Sequence, residues 1–229
     1  MAKKKNIEED VLLGDINEKL EHGHELFEQY KKPVGTVLGI ILGVAIAYVG
    51  YIKFYKTPNE NKAKAAMFMA EDYFMKDSFA LALNGDGKNL GFKQIIDKYG
   101  STDGGKLARF YAGVCNLKQN KYQEALTLFE KYESPDNLVQ SRKHSCMGDA
   151  YMELGKKKEA IEAYKKAVES AGYNTVFTPG YLFKLAKVYE LNGEKKSAIE
   201  SYNELSEQYA DSYEGRTAIK EKTRLEVSL

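Results

Sequence analysis

The feature that most constrains this chain is a set of residues that returns at fixed offsets in its C-terminal part. One copy reads Met147, Gly148, Tyr151, Gly155, Ala160, Tyr164 and Ala167. A second reads Leu185, Ala186, Tyr189, Gly193, Ala198 and Tyr202. A third, Ala112, Gly113, Tyr122, Ala125 and Phe129, carries Asn116 at the aromatic position and Asn120 at the turn. A large–small pair, an aromatic, a turn residue and then a spaced Ala and aromatic describe two antiparallel helices. The small residues let the helices cross closely, and the aromatics fill the gaps between neighbouring units. No such unit buries its apolar face alone, so stability has to come from stacking.

These offsets resemble the tetratricopeptide repeat, whose period is about 34 residues. The key alanines Ala125, Ala160 and Ala198 follow that stride, with extra residues in the second gap at Gly172–Phe177. Thr178 and Pro179 then read as an N-cap and a first-turn proline. Upstream, Gly91 and Ile95 stand one period before Ala125 and Phe129. A degenerate unit is therefore expected there, with a first helix near 60–77 and a long FALALNGDGKN connector. Tyr99, Thr102, Gly105, Lys106 and Ala108 have the same spacing as Tyr209, Ser212, Gly215, Arg216 and Ala218. Both read as junctions into a following helix. The expected order is an irregular unit at about 60-105, units at about 106-140, 141-178 and 179-212, and a capping helix at 213-229.

The segment 34–52, VGTVLGIILGVAIAYVGYI, carries no charge. A helix of that length rises about 28 Å, close to the hydrocarbon thickness of a bilayer. Lys31, Lys32 and Pro33 close one end; Lys53 and Lys56 close the other beside Tyr48, Tyr51, Phe54 and Tyr55, an interfacial belt. A core helix seldom runs so long without charge, and no signal-peptidase exit follows. The expected fold class is all-α: a single N-terminal transmembrane helix followed by a tetratricopeptide-repeat α-solenoid. Residues 1-32 would be a cytoplasmic tail, 33-55 a transmembrane signal anchor and 58-229 a periplasmic repeat domain. Lysines 3, 4, 5, 19, 31 and 32 before the span outnumber 53, 56, 62 and 64 after it, which favours an internal N-terminus. Gly35, Gly39, Gly43 and Ala47 recur every four residues, a spacing at which helix backbones approach closely in lipid. They suit a partner's transmembrane helix or a second copy.

The tail carries Leu12, Ile16, Leu20 and Phe27 at helical spacing, and His22 and His24 too far apart on a helix to share a metal. With 34 basic and 33 acidic side chains, the composition gives no electrostatic case for nucleic acid, which needs a concentrated basic face. No nucleophile–base pair, phosphate loop or metal-ligand set occurs, so neither enzyme activity nor a cofactor is expected. His144 reads as a core histidine, and Cys115 and Cys146 as buried thiols, with a disulfide as the alternative. The first helices of stacked units line a groove. It should present Phe110, Val114 and Leu117, then Arg142, Asp149 and Met152, then Phe183, Lys187 and Leu191. Such a mixed surface with apolar anchors suits an apolar protein segment.

The stretches ALNGDGKNLGFKQIIDKYG and TPGYLFKLAKVYE, with the tail–anchor–repeat order, resemble the YfgM-like family of bacterial inner-membrane proteins. That resemblance covers nearly the whole chain. It implies an ancillary subunit of the SecYEG translocon, located in the inner membrane. It implies partnership with a membrane-anchored periplasmic chaperone of the prolyl-isomerase-like class, acting on newly translocated proteins. The competing expectation is a scaffold for outer-membrane or envelope assembly, or for cell division.

Overall fold

A computed structural model describes residues 30–227. The tail histidines and the apolar stripe of the tail lie outside the described residues. The chain divides into two compact units, Met1–Pro58 and Asn59–Leu229. Among the described residues every element is helical.

In the first unit the described backbone is helix α1 over residues 30–51, followed by a π-helical turn, Ile52–Lys56. The apolar side chains of α1 are uncovered. Leu42, Val44 and Ile46 are 62%, 64% and 65% exposed. Nothing lies within 4 Å of where a Cβ would stand on Gly35, Gly39 or Gly43. It is the one helix among the described residues long and apolar enough to cross a membrane.

The second unit begins within α2 (Thr57–Met75) and continues through α3 (Phe79–Asn84), α4 (Phe92–Tyr99), α5 (Asp103–Lys118) and α6 (Tyr122–Glu130). Then come α7 (Asn137–Glu153), α8 (Lys157–Ala171), α9 (Thr178–Leu191), α10 (Lys195–Gln208) and α11 (Tyr213–Glu226). Successive helices pack as pairs, α5 on α6, α7 on α8 and α9 on α10, with α11 laid on α10 and α9. The repeated offsets are what close each pair. A Cβ added to Gly113 would stand 2.5 Å from the Phe129 ring, and one on Gly148 2.5 Å from the Tyr164 ring. A helix crossing that tight admits only glycine.

The turns inside the three pairs share one backbone solution. Asn120, Gly155 and Gly193 all take positive φ, at 60°, 71° and 83°. Asparagine is the non-glycine residue best suited to that region, which is why Asn120 stands in for glycine. The two matched junctions are also alike. Thr102 Oγ1 accepts from Gly105 N at 3.0 Å and donates to Tyr99 O at 2.6 Å. Ser212 Oγ accepts from Gly215 N at 2.9 Å and donates to Tyr209 O at 2.7 Å.

One expected cap is different. Thr178 is the first residue of α9, not its cap, and its hydroxyl donates to Gly172 O at 2.7 Å. It ties down the longer inter-unit loop instead of filling an orphan amide. The upstream connector is also ordered. Part of it is helix α3, and the rest folds around Asp86, which accepts from Lys88 N, Asn89 N, Asn89 Nδ2 and the Tyr73 hydroxyl. Gly91 N donates to Gln94 Oε1 at 2.8 Å to start α4.

Three buried clusters run along this unit. Met67, Ala70, Leu83, Phe92, Ile95 and Cys115 form the first, Phe110, Ala125, Phe129 and Tyr132 the second. The third joins Tyr164, Leu182, Leu185, Tyr202, Leu205 and Leu225 across α8 to α11.

Candidate protein-interaction surface

Helices α7, α9 and α11 are linked one to the next by side chains that repeat with the stride of the array. Lys184 of α9 donates to both oxygens of Asp149 on α7, at 2.7 and 2.8 Å. Tyr164 of α8 donates to the same carboxylate at 2.6 Å. One unit later, Lys187 donates to Glu221 at 2.9 Å and Arg224 to Glu190 at 2.6 Å. The Glu221 carboxyl is held below its ordinary pKa, through hydrogen bonds from Lys187 and then Arg224. Burial, then the Asp149 charge, pushes the Tyr164 phenol far above its ordinary value.

The expected groove residues divide by environment. Phe110 is a correction: at 5% exposed it is core, packed on Phe129 and Tyr132, and does not line open surface. The reason is its place on α5, facing α6. Arg142 lies over its ring, 5.9 Å from the centroid, and is itself exposed. Val114 and Leu117 are half-buried against the same cluster, beside Cys146 and Met147. Asp149 and Lys187 are engaged in the ion pairs above. Met152 and Phe183 pack half-buried on the last cluster, Phe183 edge-on to Tyr202 at 6.0 Å. Leu191 is 57% exposed. Lys187 also lies over the Phe183 and Tyr202 rings, at 5.7 and 6.0 Å. The surface is therefore a charged lattice over aromatic rings, with Arg142 and Leu191 most accessible.

Lys184, Glu190, Glu221 and Arg224 belong to that surface although the groove expectation omitted them. A signal was present: each opposite-charge pair is 34 or 35 residues apart, one repeat period. Beneath Lys187, Tyr202 Oη and Glu190 Oε2 are buried without hydrogen-bond partners.

The two thiols are free, and burial pushes Cys115 up to about 12 and Cys146 up to about 11. Both stay protonated and unreactive near neutrality. His144, expected in the core, is only half-buried and borders cavities on two sides. Among the described residues no three His, Cys, Asp or Glu side chains gather as a metal site.

Paired helices with this packing and turn geometry define a tetratricopeptide-repeat solenoid. The comparisons agree at the level of single units. Residues 92–137, 141–174 and 181–212 each match a tetratricopeptide repeat model. Among solved structures, two of a Podosopora anserina protein with kinesin light chain nearly identical TPR-like repeats superpose with TM-score 0.54, at 15% and 14% identity. Those matches cover 72% of this chain and 84% and 85% of the other chains. The MamA protein superposes with TM-score 0.51 at 19% identity, over 71% and 87% of the two chains. At such identities the likeness is one of fold. No curated protein sequence matches the chain.

Proposed function

We propose that this chain is a membrane-anchored protein-interaction subunit of the bacterial inner membrane. Residues 1-32 face the cytoplasm, 33-55 form the signal anchor and 58-229 stand in the periplasm. Its partners are the SecYEG translocon and a membrane-anchored periplasmic chaperone of the prolyl-isomerase-like class, and its clients are newly translocated polypeptides. The repeats supply the interaction surface and no chemistry.

The observation that carries this reading is the uncovered apolar surface of α1 in a chain whose other unit is a stack of interaction repeats. Side chains such as Ile46, 65% exposed, need lipid around them. The open face at Gly35, Gly39 and Gly43 accepts a neighbouring transmembrane helix. The resemblance of the connector and α9 segments to the YfgM-like family supplies the named partners.

The test is a set of measurements on membranes. Carbonate washing should leave the chain in the pellet. A Lys157→Cys variant should react with a membrane-impermeant maleimide from the periplasmic side, against a quiet background because Cys115 and Cys146 are shielded. Crosslinkers at Gly39 and Phe183 should capture translocon and chaperone subunits. Capture of outer-membrane or peptidoglycan-associated proteins instead would favour the envelope-scaffold reading, and carbonate extraction would end both.

A further inference from the structure

We infer that a cavity between the α5–α6 and α7–α8 pairs binds an acidic side chain of a partner polypeptide, through the buried ammonium of Lys143. The cavity, of about 600 Å³, is walled by the start of α5 at Lys106, the α6–α7 loop at Glu133 and Ser134, α7 at Lys143, and α8 at Ser170. Its walls are mainly helix ends and a loop, not the mid-helix positions of the charged lattice, so this is a separate surface.

Lys143 is the unusual group. It is 9% exposed, and no carboxylate of the described residues stands within ion-pair distance of it. Its Nζ donates to the Tyr132 carbonyl at 3.2 Å. An ammonium has three N–H donors, and the Tyr132 carbonyl takes one of them. A buried cation with no carboxylate in contact costs folding free energy, which a more distant charge such as Glu133 offsets only in part. Its pKa is correspondingly lowered, by burial first, with the Glu133 charge acting the other way and the Lys166 charge adding to the lowering. His144, beside it, has its pKa lowered too, by burial and then by Lys143 and Lys166.

Lys106 on the wall already pairs with Asp103 at 3.7 Å, so Lys143 is the cation left to meet a ligand, and a single positive charge matches a monoanion better than a phosphate dianion. Its volume holds a short peptide segment and not a carboxylate alone. That the carboxylate comes from a polypeptide rests on the interaction-module reading above; the charge argument does not.

The test uses the full chain in nanodiscs, titrated by ligand-detected NMR. The probes are an acetylated, amidated pentapeptide of alanines with a central glutamate, its glutamine counterpart, and acetate. The glutamate peptide should bind about tenfold tighter than the glutamine one, as a hydrogen-bonded charge requires. In Lys143→Met that ratio should fall to about one while the circular dichroism stays that of packed helices, so that the loss is one of binding and not of fold. Equal binding of the two peptides, or no binding of either, overturns the inference, as does a ratio that survives Lys143→Met. Acetate binding as tightly as the glutamate peptide overturns the polypeptide source. If Lys143→Met fails to fold, the exposed substitution Lys106→Gln serves, and the ratio must fall there. Loss of translocon capture with an intact peptide ratio removes the proposed function alone; the converse removes this site alone.

Discussion

At Gly148 two effects of adding a methyl group oppose each other. Alanine is the better helix former by about 1 kcal/mol. Its Cβ would meet Tyr164, a ring 3% exposed whose hydroxyl is held on Asp149, so the ring has nowhere to turn. Overpacking of this kind costs about 1–3 kcal/mol and wins. Gly148→Ala should therefore destabilise by a net of up to about 2 kcal/mol, read as a lower urea midpoint. Gly180→Ala is the control. The nearest atom to its Cβ, Glu214 Oε1, is 4.0 Å away, so the same change there should stabilise by about 0.5 kcal/mol. If both glycines respond alike, close crossing is not what selects Gly148. A second residue-scale prediction concerns His144. Burial, then Lys143 and Lys166, lower its pKa from 6.5 to about 4. The unfolded chain then takes up the proton first as pH falls. Stability from this group is complete above about 6.5 and is lost progressively as pH drops toward about 4. Denaturation at a series of pH values should show that slope, and His144→Gln should flatten it.

Among the elements, the α3–α4 connector is the one whose order rests on a single side chain. Asp86 accepts from two backbone amides, an Asn89 amide and the Tyr73 phenol, which together hold its carboxyl far below the ordinary range. In Asp86→Ala the amides of Lys88 and Asn89 lose their acceptor. Their hydrogen exchange should accelerate while α7 to α10 stay protected. In the unaltered chain the same protection should be full at neutrality, erode progressively once the pH falls through the ordinary carboxylate range, and be lost only in stronger acid, since the depressed carboxylate binds its proton later than the open connector does. Unchanged exchange in the variant would show that backbone packing alone fixes the connector. This element also marks the limit of what pattern reading reaches. The pairs α7–α8 and α9–α10 are legible because Gly148 with Tyr164, and Ala186 with Tyr202, come together at a separation set by half a helix, one turn and half a helix. Asp86 and Tyr73 meet through an irregular bend with no period to betray it. The surface is intermediate. Asp149 with Lys184 and Lys187 with Glu221 stand one repeat apart and so are recoverable from spacing, whereas the burial of Phe110 beneath Arg142 depends on rotamers that spacing leaves open.

At the scale of the whole molecule, the three buried clusters of the described residues are drawn from the second unit. In the first unit the large apolar side chains from Tyr30 to Tyr51 are more than half exposed. The contact that fixes the start of the array also lies inside the second unit: Glu60 accepts from Asp103 N at 3.0 Å and Gly104 N at 3.1 Å. Repeat arrays take their stability from nearest-neighbour stacking, so a fragment that keeps every stacked interface keeps nearly all of the folding energy. A chain starting at Asn59 should accordingly be monomeric without detergent. Its circular dichroism should be that of packed helices, and it should unfold in one cooperative transition. Introducing Gly148→Ala into that fragment should reproduce the sign expected in the full chain. Should the fragment need detergent to stay in solution, or melt without cooperativity, then α1 contributes to the array's core and the division into a lipid-facing helix and a self-sufficient repeat unit is wrong.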